Sequence, residues 1–79
     1  MFYVYIIKSK SFDQYYTGHT SDLQNRLKDH NSGKSQHTSK YKPWVLVIYI
    51  AFETEELALA FEKYLKTGSG IAFARKHFL

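Results

Sequence analysis

The nine residues from Trp44 to Phe52, WVLVIYIAF, contain no charged side chain and directly follow the chain's one proline. β-Branched and aromatic residues dominate the run, which is too short for a buried helix and well suited to a strand. Apolar and polar residues do not alternate along it, so it reads as a strand covered on both faces, the centre of a sheet. A chain of 79 residues has room for one core only. Everything else must therefore pack around this strand.

Three further segments are legible by pattern. Phe2–Lys8 is aromatic and β-branched and reads as a second buried strand; Tyr15–Thr17, after the polar turn SKSFDQ, reads as its hairpin partner. Gly18 ends that strand. Ser21 and Gln24 fit a capping box opening a helix that runs to about His30, with Leu23 and Leu27 inward and Asn31-Ser32-Gly33 as its stop. After Phe52, Thr54 caps a second helix with Glu55 and Glu56 in its first turn, and Leu57, Phe61 and Leu65 form its inward stripe. Thr67-Gly68 ends it, and Ser69 caps a short last helix containing Ile71, Phe73 and Ala74. The order β-β-α-β-α-α implies one α+β domain over residues 1–79, a three-stranded, mostly antiparallel sheet with helices against it.

Composition narrows the chemistry. There is no cysteine, which excludes disulfides and thiolate metal sites and suits a reducing compartment. The opening residues MFYVYIIKSK lack the basic start and apolar length of a signal peptide, and no segment approaches the roughly 20 apolar residues of a membrane span. A soluble cytoplasmic protein is the expectation. The net charge of +4 and pI near 9.4 suit a polyanionic partner. Lys34, Lys40 and Lys42, with His37, lie between Asn31 and Trp44 without an intervening acid. That stretch is either a solvated loop or a phosphate-contacting one.

Several side chains stand where they can do chemistry. Arg26 and His30 are four apart on the first helix and share one flank. An arginine there can hold an anion with its planar fork, or simply pair with Asp22 or Asp29 in solvent. Tyr3 and Tyr5 face one side of the first strand, and Tyr16 sits across the hairpin. The three are either packing aromatics or a set of convergent hydroxyls. Glu62, beside the inward stripe of the second helix, can bind Mg²⁺ or make an i, i+4 pair with Lys66.

These residues, in order, resemble the GIY-YIG nuclease family over nearly the whole chain. The features are YVY in the first strand, YTG at the end of the second, an arginine eight residues beyond Gly18, His30 one turn on, and a helical glutamate. The likeness is to the small single-domain members. It departs in lacking the first motif's glycine, in carrying Thr17 for isoleucine, and in His19 where many members have lysine. The resemblance implies a GIY-YIG-like fold and an endonuclease active in DNA repair or processing. Tyr5, Tyr16, Arg26 and His30 would form the catalytic set, with Glu62 holding Mg²⁺ or Mn²⁺. Lys34, Lys40, Lys42 and His19 would contact nucleic acid, DNA first, and a protein partner would supply specificity. The rival expectation is a nucleic-acid-binding module, or a partner-docking subunit, that keeps the fold without the catalysis.

Overall fold

A computed structural model describes residues 1–79. Strands β1 (Phe2–Ser9), β2 (Tyr15–Thr20) and β3 (Trp44–Phe52) and helices α1 (Leu23–Ser32), α2 (Glu55–Leu65) and α3 (Gly68–His77) follow the order β1-β2-α1-β3-α2-α3, and a single 3-10 turn spans Ser39–Tyr41. The sheet order is β2-β1-β3, antiparallel throughout. The α+β expectation and its element order hold.

The centre of the sheet is β1, not β3. Val4, Tyr5, Ile6 and Ile7 are all buried, because β1 is paired on both sides and covered on both faces. Trp44–Phe52 is instead an edge strand, and Val45, Leu46, Val47 and Tyr49 are each more than a third exposed. The uninterrupted apolar pattern has a different cause from double coverage. Ile6 pairs with Ile48 and Ile7 with Leu46, so Val47 is an extra residue and β3 carries a bulge. The bulge resets the alternation: Trp44 joins one face of the sheet and Ile48 and Phe52 the other.

Those faces have different linings. Val4 and Ile6 pack with Ala58, Leu65 and Ala74 beneath α2 and α3, joined by Phe52, Phe61, Phe73 and Phe78. Tyr5, Ile7 and Trp44 pack on the opposite face beneath α1, with Tyr16, Leu23, Leu27 and Tyr41. The inward stripe of α2 is set by Ala58 and Leu65, with Phe61 half-buried. Leu57, expected inward, is 54% exposed. The small Ala58 side chain suits a close approach of the helix to the sheet. At the α2–α3 crossing the backbones nearly touch, since a Cβ on Gly70 would lie 1.8 Å from the Tyr64 carbonyl oxygen. Glycine is required there for space.

Helix ends differ from expectation by a residue or two, as short polar runs with several capping candidates allow. Asp22, not Ser21, caps α1, accepting from the Asn25 amide at 3.2 Å, and Gly33 ends it in the left-handed conformation, φ 86°. Thr54 caps α2 as expected. Thr67 rather than Ser69 caps α3, accepting from Gly70 N at 3.1 Å. No helix is long and apolar enough to cross a membrane.

Candidate active site

On the α1 face, the hairpin register sets Gly18 opposite Tyr5 and Tyr16 opposite Ile7. A Cβ on Gly18 would lie 2.7 Å from the Tyr5 hydroxyl and 3.0 Å from the Tyr16 ring. The missing side chain is thus the space the Tyr5 phenol occupies. The two rings stand 6.3 Å apart, and both approach His30, which α1 delivers one turn after Arg26.

His30 is fully buried and holds a partner on each nitrogen. Its Nδ1 is 2.7 Å from Thr38 Oγ1, and its Nε2 is 2.7 Å from the Tyr5 hydroxyl. Thr38 directs its own hydroxyl hydrogen to the Ser35 carbonyl, 3.4 Å away, so its oxygen accepts from Nδ1–H. Nε2 is then bare and accepts the Tyr5 O–H. The result is a buried line of donors, Tyr5 to His30 to Thr38 to backbone. The indole of Trp44 donates to the Thr38 carbonyl at 2.9 Å, and Asn31 bonds the Trp44 backbone through both ends of its amide. These bonds fix the loop that carries Thr38.

The electrostatics follow from this enclosure. Burial pushes the Tyr5 phenol up to about 12, opposed by the adjacent Arg26 and assisted by the charges of Tyr16 and Glu62. Tyr5 therefore keeps its proton at neutral pH. Burial and then the Arg26 charge push His30 down to about 4, so its imidazole is neutral. Burial works against the charge on Arg26, but Tyr5 and Tyr16 beside it prevail and raise its pKa above the ordinary value. Its side chain is 34% exposed, and its nearest carboxylate, Asp29, is 3.9 Å away. Arg26 thus lies against two phenols with part of its guanidinium open to solvent.

Glu62 comes from the other face. His19 pairs with Val4 in the hairpin and therefore points toward α2, where its Nδ1 meets Glu62 Oε1. Lys66 Nζ meets Oε2 at 2.6 Å, the i, i+4 pair that spacing suggests. Burial would raise the Glu62 pKa, but these two partners outweigh it and hold the carboxyl below its usual value. The consecutive residues Gly18 and His19 join the two halves: Tyr5 lies over one, Glu62 is held by the other, and the Glu62 charge reaches the Tyr5 phenol.

Tyr5, Tyr16, Arg26 and His30 are thus brought together on one face, whereas Glu62, expected on the same surface, comes from the other, and only its charge reaches the Tyr5 phenol. The remaining candidates are dispersed. Lys34, Lys40 and Lys42 are exposed; Lys34 is 3.9 Å from Asp29, and Lys40 lies over the Tyr41 ring at 5.5 Å. His19, expected to contact nucleic acid, is engaged by Glu62. Sequence reasoning missed Thr38, a loop hydroxyl with no periodicity to mark it. The one available signal was that a histidine on an inward helix flank needs a partner for each nitrogen. No group of three or more His, Cys, Asp or Glu side chains is arranged to ligate a metal. The donor set at Glu62, one carboxylate beside one imidazole, fits a hard divalent cation that keeps most of its waters.

Residues 1–71 match the family model described as the GIY-YIG catalytic domain. A UPF0213 protein of Staphylococcus haemolyticus is 38% identical over 68 residues, 85% of this chain and 82% of that one. Another, from Haloquadratum walsbyi, is 36% identical over 82% of this chain and 73% of its own. The solution NMR structure of a UPF0213 protein from Bacillus halodurans aligns with a TM-score of 0.57 and 36% identity, covering 96% of this chain and 82% of that one.

Proposed function

The chain belongs to the GIY-YIG family, and from that premise we propose that it is a metal-dependent nuclease hydrolysing phosphodiester bonds in DNA. The observation that carries this reading is the setting of Arg26: a partly exposed guanidinium against two phenols, one of which also feels the charge of Glu62.

In the proposed reaction, Arg26 holds the nonbridging phosphate oxygens in its fork and offsets the charge that builds on them. A water oxygen bonds to phosphorus as the ester P–O bond breaks. Tyr16, entering the step as its phenolate, takes the water's proton and afterwards releases it to solvent, and the leaving oxygen is protonated from solvent. Tyr16 is preferred to Tyr5 as the base because Tyr5 is 1% exposed and spends its O–H on His30, whereas Tyr16 is only half-buried. Tyr5, His30 and Thr38 are then positioning residues that hold Arg26 and Tyr16 in place. Glu62 would hold Mg²⁺ or Mn²⁺, with His19 beside it, and the cation would supply Lewis-acid stabilisation of the leaving oxygen. The exposed Lys34, Lys40 and Lys42 add phosphate contacts without choosing sequence.

One observation favours the second reading, a nucleic-acid-binding module. Both Glu62 oxygens are already engaged by Lys66 and His19, so a cation must compete for them. Single-turnover cleavage of labelled single-stranded, duplex and branched DNA, with Mg²⁺ or with EDTA, decides between the two. Arg26→Ala should slow cleavage by about 10²–10³ while leaving metal-free DNA binding in place. Binding by the wild type with no cleavage of any substrate in Mg²⁺ or Mn²⁺ would leave only the binding module.

A further inference from the structure

A cavity of about 450 Å³ lies beside the Glu62 half of the site, between β2 and the α2–α3 pair. Its apolar lining includes Leu65 and Ile71, with Tyr15 and Tyr16 contributed by β2, and its charged side chains are Lys66 and Arg75. The volume falls within the roughly 300–1,000 Å³ of small-molecule sites. Much of the lining is unburied: Tyr15 is 43% and Ile71 44% exposed. Arg75 has no carboxylate within ion-pair distance, while Lys66 is shared with Glu62. The cavity therefore combines the Tyr15 ring, an aliphatic floor and an unspent guanidinium. Its Lys66 is also the partner of the candidate metal ligand Glu62.

That combination suits a flat aromatic ring carrying an anionic group. Tyrosine faces stack on bases with little regard to sequence, and a guanidinium forks a phosphate. We propose that this cavity is a nucleotide subsite: it takes one unstacked base against Tyr15 and Ile71, with the adjoining phosphate on Arg75 and Lys66. The choice of a nucleotide over other aromatic anions rests on the nuclease reading. A base paired and stacked inside a duplex cannot enter such a pocket. The subsite therefore selects single-stranded, flapped or mismatched nucleic acid over continuous duplex.

The binding measurement needs neither metal nor cleavage. The full chain is titrated with deoxyadenosine monophosphate, followed by NMR shifts of the Ile71 methyls and the Tyr15 ring. Those signals should move together and saturate. Arg75→Ala, at an exposed position, should weaken binding roughly tenfold or more, the loss for a hydrogen bond to a charged group. Ile71→Asp, also exposed, should abolish it with the circular dichroism spectrum unchanged. Shifts confined to the Lys34–Lys42 loop would overturn the proposal, as would inorganic phosphate binding as tightly as the nucleotide. Unchanged titration of Arg75→Ala would also overturn it, even if Ile71→Asp failed to fold. Cleavage of single-stranded DNA unaffected by either variant would remove the subsite and leave the nuclease standing. Nucleotide binding here by a protein that cuts nothing would do the reverse.

Discussion

Val4 and Ile6 point from β1 into a face lined by alanine, leucine and phenylalanine, whereas Tyr5, one residue along, points into a face whose centre is a histidine. Both faces are closed to water, yet different forces specify them. Beneath α2 and α3, shape alone decides what fits. Beneath α1 the Tyr5–His30–Thr38 line requires particular atoms at particular distances, because a buried polar group without a partner costs more than a made bond returns. The candidate catalytic residues stand on the second kind of face, where a hydrogen-bond network can hold a phenol in one orientation.

The largest way to break this contrast is on the apolar face. Ile6→Ala should destabilise by about 2–5 kcal/mol, as removal of a buried aliphatic side chain does. Urea unfolding should show the same loss at pH 7.5 and at pH 5, because Ile6 touches nothing that titrates in that window.

Acid should break the other face instead. The folded pKa of His30 lies near 4, below the ordinary 6.5, so the folded state favours the neutral ring. The stability this contributes is complete above pH 6.5 and is lost as pH falls toward 4. Between pH 7.5 and 5 the loss should be about 2 kcal/mol. Tyr5, Tyr16, Arg26 and Asp29 surround the ring. The His30 ring resonances should hold their neutral shifts down to pH 5. A ring titrating near 6.5 in the folded protein would refute the enclosure.

The smallest effect separates wiring from packing on one residue. Tyr5→Phe keeps the ring but leaves His30 Nε2 without a donor, and should cost on the order of 1–2 kcal/mol. Cleavage should fall as Arg26 and Tyr16 lose their support, without being abolished. A Tyr5→Phe protein as inactive as Arg26→Ala would move Tyr5 from positioning residue to base.

The sequence carried the element order because periodicity, caps and breakers are local. It did not carry which apolar strand is central, since β3 lacks the charge or proline that commonly marks an edge, and a bulge at Val47 mimics double coverage. Likewise Ala58 is overlooked beside Leu57 when large side chains are sought, although the smaller one permits contact with the sheet. In the candidate site, Tyr16, Arg26 and Glu62 are singled out through the family's spacing. The partners that tune them are not: Thr38 lies in a loop, and His19 reaches Glu62 only because the hairpin register turns it toward α2.

The fit of Gly18 against Tyr5 constrains the order in which this site can change. The nearest atom to a Cβ at Gly18 is the Tyr5 hydroxyl oxygen, closer than any ring carbon. A methyl group at position 18 thus evicts the oxygen that binds His30, while loss of that oxygen first clears the tightest of the contacts. Substitutions at the two positions are therefore not independent: alanine at 18 is better tolerated after phenylalanine at 5 than before it. A lineage of such chains that has given up the tyrosine is freed to drift at the glycine, and the tyrosine can be reclaimed only while position 18 still leaves room for the phenol.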